Sequence, residues 1–301
     1  MEHDVRFTLS YKGGISEQHE IDLYDIAQAL IGFQRSIALT THLVLNNEII
    51  TQAPSLKGAE IRALPAKSGS WEITAGVIIT ISAGIYKLGT TKNDSPIGHI
   101  IYSVYDWLIS ETLGVHVDYS KSLKQLYEEA KEQSYELKTV KEHQLDSLME
   151  KCNTAIREIH RPIYKTGSAQ QASIISNVNG RLIPLTTSLS KNTYEYMNEG
   201  FTEEMPELIK GRVSSYNSNT FKGRIYVIEE GRPVAFELSE NTRPNRTIRI
   251  IVRSLSENAL KNYDDEGSLV YCRVLKNKSK AGHLKSYTII EVSEKPLRDN
   301  F

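Results

Sequence analysis

Cysteine is nearly absent. The two thiols, Cys152 and Cys272, stand far apart in a chain of 301 residues, with no CxxC spacing. That excludes a disulfide scaffold and a structural zinc protein, and it suits a reducing compartment. The first residues, MEHDVRFTLSYKGG, hold no basic stretch leading into an apolar run, so no secretory leader is expected and the cytoplasm is the expected location. Catalytic signatures are lacking too: there is no P-loop, no GxGxxG, no GxSxG and no HExxH. None of the eight histidines pairs with another at metal-ligand spacing. No catalytic residue, metal or cofactor is therefore assigned. What is present is ordinary for a globular chain: 40% hydrophobic and 24% charged residues. Disordered, collagen-like and polytopic membrane chains are excluded. Domains usually run to roughly 100–200 residues, so the length predicts two.

A formal net charge of −1 hides a split. Leu208 to Arg298 carry 17 Lys+Arg against 10 Asp+Glu, whereas residues 1–207 carry 19 against 26. The split predicts a first domain over residues 1–200 and a basic second domain over 208–298. Positive charge gathered on one part draws anionic partners, nucleic acid or an acidic protein surface, the chain's own acidic half included.

Val5 to Tyr11 alternates as a strand. A long helix is expected from near Asp22, a good first-turn acceptor, to Asn46-Asn47, which tolerate the left-handed conformation. Its apolar stripe is Leu23, Ile26, Leu30, Phe33, Ile37, Thr41 and Val44. Ile49–Gln52, Ala59–Leu64 and Ser70–Thr74 read as strands that join the first in a small antiparallel sheet packed on that helix. From Ile73 to Tyr86 no residue is charged, and Gly76, Thr80 and Gly84 recur every four residues. This run and Ile97–Leu113 are read as an apolar helical hairpin, about residues 74–113. A membrane-spanning helix needs about 20 apolar residues, so each arm is short for one. Core, interface and membrane-active roles all stay open for it.

Two long polar helices are expected over about residues 119–163, one with its seam at Leu145, Leu148, Cys152, Ile156 and Ile159. Ile174–Val178 and Arg181–Leu185 flank Asn179-Gly180, a hairpin turn pair. Beyond them, Ile209–Tyr216, Phe221–Ile228, Pro233–Leu238, Ile248–Arg253, Leu269–Leu275 and Tyr287–Val292 read as short strands, with a short helix from Ser254 to Lys261. The expected class is α+β: a small antiparallel sheet packed with long helices, then a small all-β barrel of OB or SH3-like size.

Two groups of residues are candidate sites. In the basic region Lys222, Arg224, Arg243, Arg246, Arg249, Lys278 and Lys280 alternate with aromatics, and Tyr216 stands at a strand end beside Asn217, Ser218 and Asn219. Basic grooves with aromatic platforms hold single-stranded nucleic acid by phosphate attraction and base stacking. On the first helix Asp25, Gln28, Arg35 and His42 share a stripe with Gly32 between, a candidate ligand face. For both groups the bland alternative stands beside the functional one: solvated strand ends and core aromatics, or the ordinary polar side of a helix.

The stretches LYDIAQALIGFQRSIALTTHLV, NNEIITQAPSLKGAEI, GSWEI, and HRPI followed by GRVSSYNSNTFKGRIYV resemble a family of bacterial proteins built from two consecutive domains of unknown function. The resemblance runs from about Val5 to Val292. It implies a mixed α/β and helical first domain, a five-stranded barrel behind it, and a place in bacterial accessory genomes, phage-defence neighbourhoods included. It carries over no catalytic residue. The expected function is that of a non-enzymatic binding protein, forming a homo-oligomer through the apolar faces of residues 74–113 and 119–163 and using the barrel to hold nucleic acid or a protein partner. Two alternatives are a membrane-acting effector using the hairpin and an enzyme with an unfamiliar site on the first helix.

Overall fold

Val5, Phe7, Leu9 and Tyr11 are fully buried, which makes strand β1 (Val5–Lys12) the centre of the first sheet. A computed structural model of the chain describes residues 5–64, 71–79, 96–115, 120–132, 137–178, 180–198, 200–262, 266–279 and 284–298. Two compact units divide them, 1–197 and 198–301.

In the first unit β1 is followed by the long helix α1 (Leu23–Asn46) and strands β2 (Ala59–Leu64) and β3 (Trp71–Ile79). Helices α2 (Pro96–Thr112), α3 (Ser120–Glu132), α4 (Glu142–Ile159) and α5 (Arg161–Tyr164) come next. Strands β4 (Gln171–Val178), β5 (Arg181–Pro184) and β6 (Leu189–Ser190) and helix α6 (Lys191–Asn198) complete it. The sheet order is β2-β3-β1-β4-β5, with β6 also on β4, and all its pairs are antiparallel. Asp22 caps α1 by accepting from the Asp25 N–H, and Asn47 ends it in the left-handed region at φ 55°. Against this sheet pack the apolar faces of the helices: Phe7 meets the Tyr105 ring edge-on at 4.9 Å, and the Tyr11 hydroxyl donates to Ile159 O.

Two expectations fail here. Residues 74–79, read as the start of a helix, lie in β3, which pairs with β1 on one side and β2 on the other. A run of Thr, Val and Ile without charge fits a strand buried between neighbours as well as a buried helix, and two antiparallel partners decide it. The rest of that arm, residues 80–95, lies outside the described residues. The second arm is helical, as α2, and its Asp106 is fully buried, accepting from the backbone N–H and the hydroxyl of Thr186. The second failure is Ile49–Gln52, which is irregular. Among the described residues no helix is long and apolar enough to cross a membrane. The apolar seam of residues 142–159 is also covered from within, since Leu148, Cys152, Ile156 and Ile159 are completely buried in the first core.

The second unit holds β7 (Gly200–Thr202), β8 (Glu207–Asn217), β9 (Lys222–Val227), β10 (Arg232–Leu238), helix α7 (Asn245–Ala259), β11 (Val270–Ser279) and β12 (Leu284–Ser293). Pairing runs β12-β10-β9-β8-β11 and returns through β11–β12, so five strands close into a barrel. Its third and fifth strands, β10 and β12, run parallel, and the helix stands between the third and fourth. That connectivity is the one used by OB-folds. Val213, Ile225, Phe236, Cys272, Val274, Tyr287 and Ile289 fill the interior.

Ile248–Arg253, read as a strand, belongs to α7. Its burial follows a helical period: Ile251 and Ser254 are inside, and Val252, Arg253 and Ser256 outside. Ser254–Lys261 extends the same helix rather than forming its own. The Ser254 hydroxyl accepts from the Val213 N–H at 3.0 Å and donates to Ser268 O at 2.7 Å. Asn258 donates to Val213 O. Both bonds serve β8 where its register with β9 slips between Val213 and Ser215. A bulge frees backbone groups that a buried strand must satisfy elsewhere.

Candidate functional site

The stripe on α1 is met by α4, by α5 and by the segment that follows α1. Asp25, 3% exposed, accepts from Arg161 Nε at 2.7 Å, while Arg161 Nη1 reaches Glu158 at 3.1 Å. Both carboxylates hold the guanidinium more firmly protonated than usual. At Gly32 an added Cβ would run into the Ala155 carbonyl, so the glycine is what lets the two backbones close up. Arg35 donates to Thr51 O at 3.1 Å. Burial pushes the neighbouring Cys152 thiol up to about 12, against the opposite pull of the Arg35 charge. His42 is buried, and its Nδ1 accepts from the Lys57 N–H at 3.1 Å. Burial lowers its pKa. With Nδ1 an acceptor, the ring is neutral and carries its proton on Nε2. Gln28 is half-buried. The expectation of an open ligand face over these four residues is thus corrected: neighbouring elements already occupy Asp25, Arg35 and His42.

The basic residues of the barrel scatter over several environments. Lys222 is exposed at the start of β9. Arg224, two residues on, is 6% exposed. Arg243 is half-buried, its guanidinium 4.6 Å above the Phe221 ring and its Nε donating to Leu238 O at 3.2 Å. Arg246 and Arg249 are exposed, but on α7 rather than on a strand. Lys278 is neutralised by Glu203. Lys280 lies outside the described residues. Tyr216 is not the loop-borne platform that its position suggested. It is half-buried against the barrel core and stacks on Phe236, with centroids 6.4 Å apart and planes 11° apart. Its hydroxyl is buried without a partner among the described residues, and desolvation raises its pKa against the pull of Arg243. The loop above it is held by Asn217, whose side chain accepts from the N–H groups of Asn219 and Thr220. Phe221 follows at φ 57°, a strained place for a bulky residue, with its carbonyl bonded by the Leu238 N–H.

Strand alternation does assemble one face that the candidate residues only touched. Ile209, Gly211 and Val213 of β8 are buried, which turns Lys210 and Arg212 outward. On β9, Ile225 and Val227 point in, Lys222 and Tyr226 are exposed, and Arg224 between them is buried. Arg212 stands opposite Tyr226 in register. Lys210 stands opposite Tyr271, its Nζ 5.9 Å from that ring. Lys210, Arg212 and Tyr226 were legible only as a period-two pattern of basic and aromatic residues between apolar ones, and the pattern acquires a meaning once β8 and β9 are paired. Among the described residues no group of three or more His, Cys, Asp or Glu is gathered to hold a metal.

A family model for a domain of unknown function (DUF7946) matches residues 7–198, and a model for a family of unknown function (DUF7947) matches residues 206–293. No curated protein and no solved structure matches the chain.

Proposed function

We propose, for a chain that belongs to the DUF7946 family and continues into a DUF7947 region, that the C-terminal barrel binds single-stranded nucleic acid. The observation that carries the reading is the joint placement of Lys210, Arg212, Lys222, Tyr226 and Tyr271 on the outward positions of β8, β9 and β11. Barrels of OB connectivity take oligonucleotides on the face of their second and third strands and on the loop between the first and second. Here the second strand is β9, and that loop is Ser218–Phe221. The cations supply attraction to phosphates, and Tyr226, 38% exposed, supplies a ring for a base. The excess of Lys and Arg over residues 208–298 has the sign this requires.

The test is binding of the intact chain to a fluorescent oligo-dT and to oligo-U as salt is raised. Affinity should fall with a log–log slope of about 0.7 per phosphate neutralised. Lys222→Glu should lower that slope. Tyr226→Ala should weaken binding by about 1–3 kcal/mol and leave the slope unchanged. No binding to either oligomer at low salt overturns the reading and turns attention to an acidic protein surface as the partner.

A further inference from the structure

On its solvent side the first half of α1 is apolar where a helix facing water is normally charged. Leu23 is 81% exposed, Tyr24 63% and Ile31 60%. Ala27 and Gln34 complete the exposed arc, and from Leu23 to Gln34 the only ionisable side chains are Tyr24 and the buried Asp25. The arc is also ordered. Tyr24 is held by the Arg161 guanidinium, 5.0 Å over its ring, and Arg161 is itself fixed by Asp25 and Glu158. Burial on the opposite side of the helix, at Asp25, Ala29, Gly32 and Ser36, locks its rotation, so this face stays turned outward.

We infer that this face is a self-association surface, in which α1 packs antiparallel on α1 of a second copy about a two-fold axis at Ala27. The pattern of the residues selects that occupant. Leu23, Ala27 and Ile31 form one i, i+4, i+8 ridge, the kind of row that interdigitates with a matching row when helices cross. In an antiparallel two-fold pair, contacting positions add to a constant, because the same patch is used on both subunits. With Ala27 on the axis, Leu23 of each copy meets Ile31 of the other, and Tyr24 meets the partly buried Leu30. Every apolar residue of the ridge thus finds an apolar counterpart on the same ridge. The smallest side chain stands at the crossing point and the larger ones flank it. Helix axes can then approach toward the short end of the usual range of about 8–10 Å, which lets the flanking side chains touch. An uncharged face meets its own copy without repulsion, whereas an acidic or basic partner would find no opposite charge on it. One helix ridge sits at the small end of specific interfaces, about 1,200 Å² or below, so the dimer should dissociate on dilution. The inference does not rest on the barrel's ligand.

The experiment measures mass against concentration, over the micromolar to millimolar range, by light scattering and sedimentation of the full chain. The native chain should pass from monomer to dimer. Ala27→Glu and Ala27→Lys should each weaken dimerisation at least tenfold, because each sets like charges face to face at the crossing. Mixing the two variants should give dimer at concentrations where neither variant alone dimerises, because the two charges are then opposite. Ala27 is exposed, and Glu and Lys are both good helix formers, so each variant should keep its helical circular dichroism. That measurement separates lost association from lost folding. A native chain that stays monomeric throughout overturns the inference and leaves the face to a different partner. Single variants that dimerise as the native chain does, or a mixture no better than its components, would overturn it as well.

Discussion

His160 shows how far a single side chain is committed by its surroundings. It ends α4 fully buried, its Nδ1–H donating to Ile156 O at 2.8 Å while Nε2 lies 3.0 Å from the Thr193 hydroxyl. Burial drives its pKa down to about 4 from an ordinary 6.5, despite the carbonyl at Nδ1, which works the other way. The unfolded chain therefore takes up a proton near pH 6.5 that the folded chain refuses until near pH 4. Stability should be level above about pH 6.5 and fall as the pH drops toward 4, by up to about 1.4 kcal/mol per pH unit. His42 is shifted in the same direction, also by burial, and adds to the slope. Urea unfolding at several pH values reads this directly. His160→Gln should flatten part of the dependence, and an unchanged slope in that variant would assign it to other groups. Gly32 makes the complementary point. Its use was legible as permission for a close approach, but not what approaches, because Ala155 lies far along the chain and reaches it only through the packing of α1 on α4.

At the scale of elements, the bulge in β8 is repaired by a helix that packs on it, and Ser254 is the joint. Ser254→Ala leaves the Val213 N–H without its acceptor in a buried place. It should cost about 1–3 kcal/mol in chemical denaturation, whereas Ser256→Ala, at an exposed position of the same helix, should cost little. The same helix shows why some elements were legible and others not. α1 could be read to within a residue of both ends because Asp22 and Asn47 are local signals that act within one turn. The barrel strands were legible from alternation, since every second residue of β8, β10 and β12 enters one interior. Ile248–Arg253 and residues 74–79 are β-branched runs whose local preference is divided. The first becomes a helix because Ile251 and Ser254 must reach β8 together, and the second a strand because β1 and β2 both need a partner. The candidate sites were hard to read for the same reason. Whether the polar stripe of α1 meets a ligand or another helix, and whether Tyr216 looks out of a loop or into a barrel, depends on residues distant in sequence.

Among the described residues the two hydrophobic cores share no member, and the barrel closes its own ring of strands within residues 207–293. Each unit should therefore fold from its own sequence. Residues 198–301 expressed alone should unfold in a single cooperative transition. Where the fragment begins decides its stability. Charge composition points to a start at Leu208, but β7 pairs with β11 through Thr202, Phe201 and Gly200. Glu203 neutralises Lys278, and Glu207 meets Lys276 at 2.6 Å. A fragment from Leu208 loses that short strand and both ion pairs. The pairs are partly exposed, so each is worth at most about 1 kcal/mol. The larger loss is the edge, since β11 would then present unpaired backbone groups around Asn277 and Lys278. The 208–301 fragment should accordingly unfold at lower denaturant than 198–301 and aggregate more readily. Equal midpoints would show that residues 198–207 are a linker rather than part of the second fold.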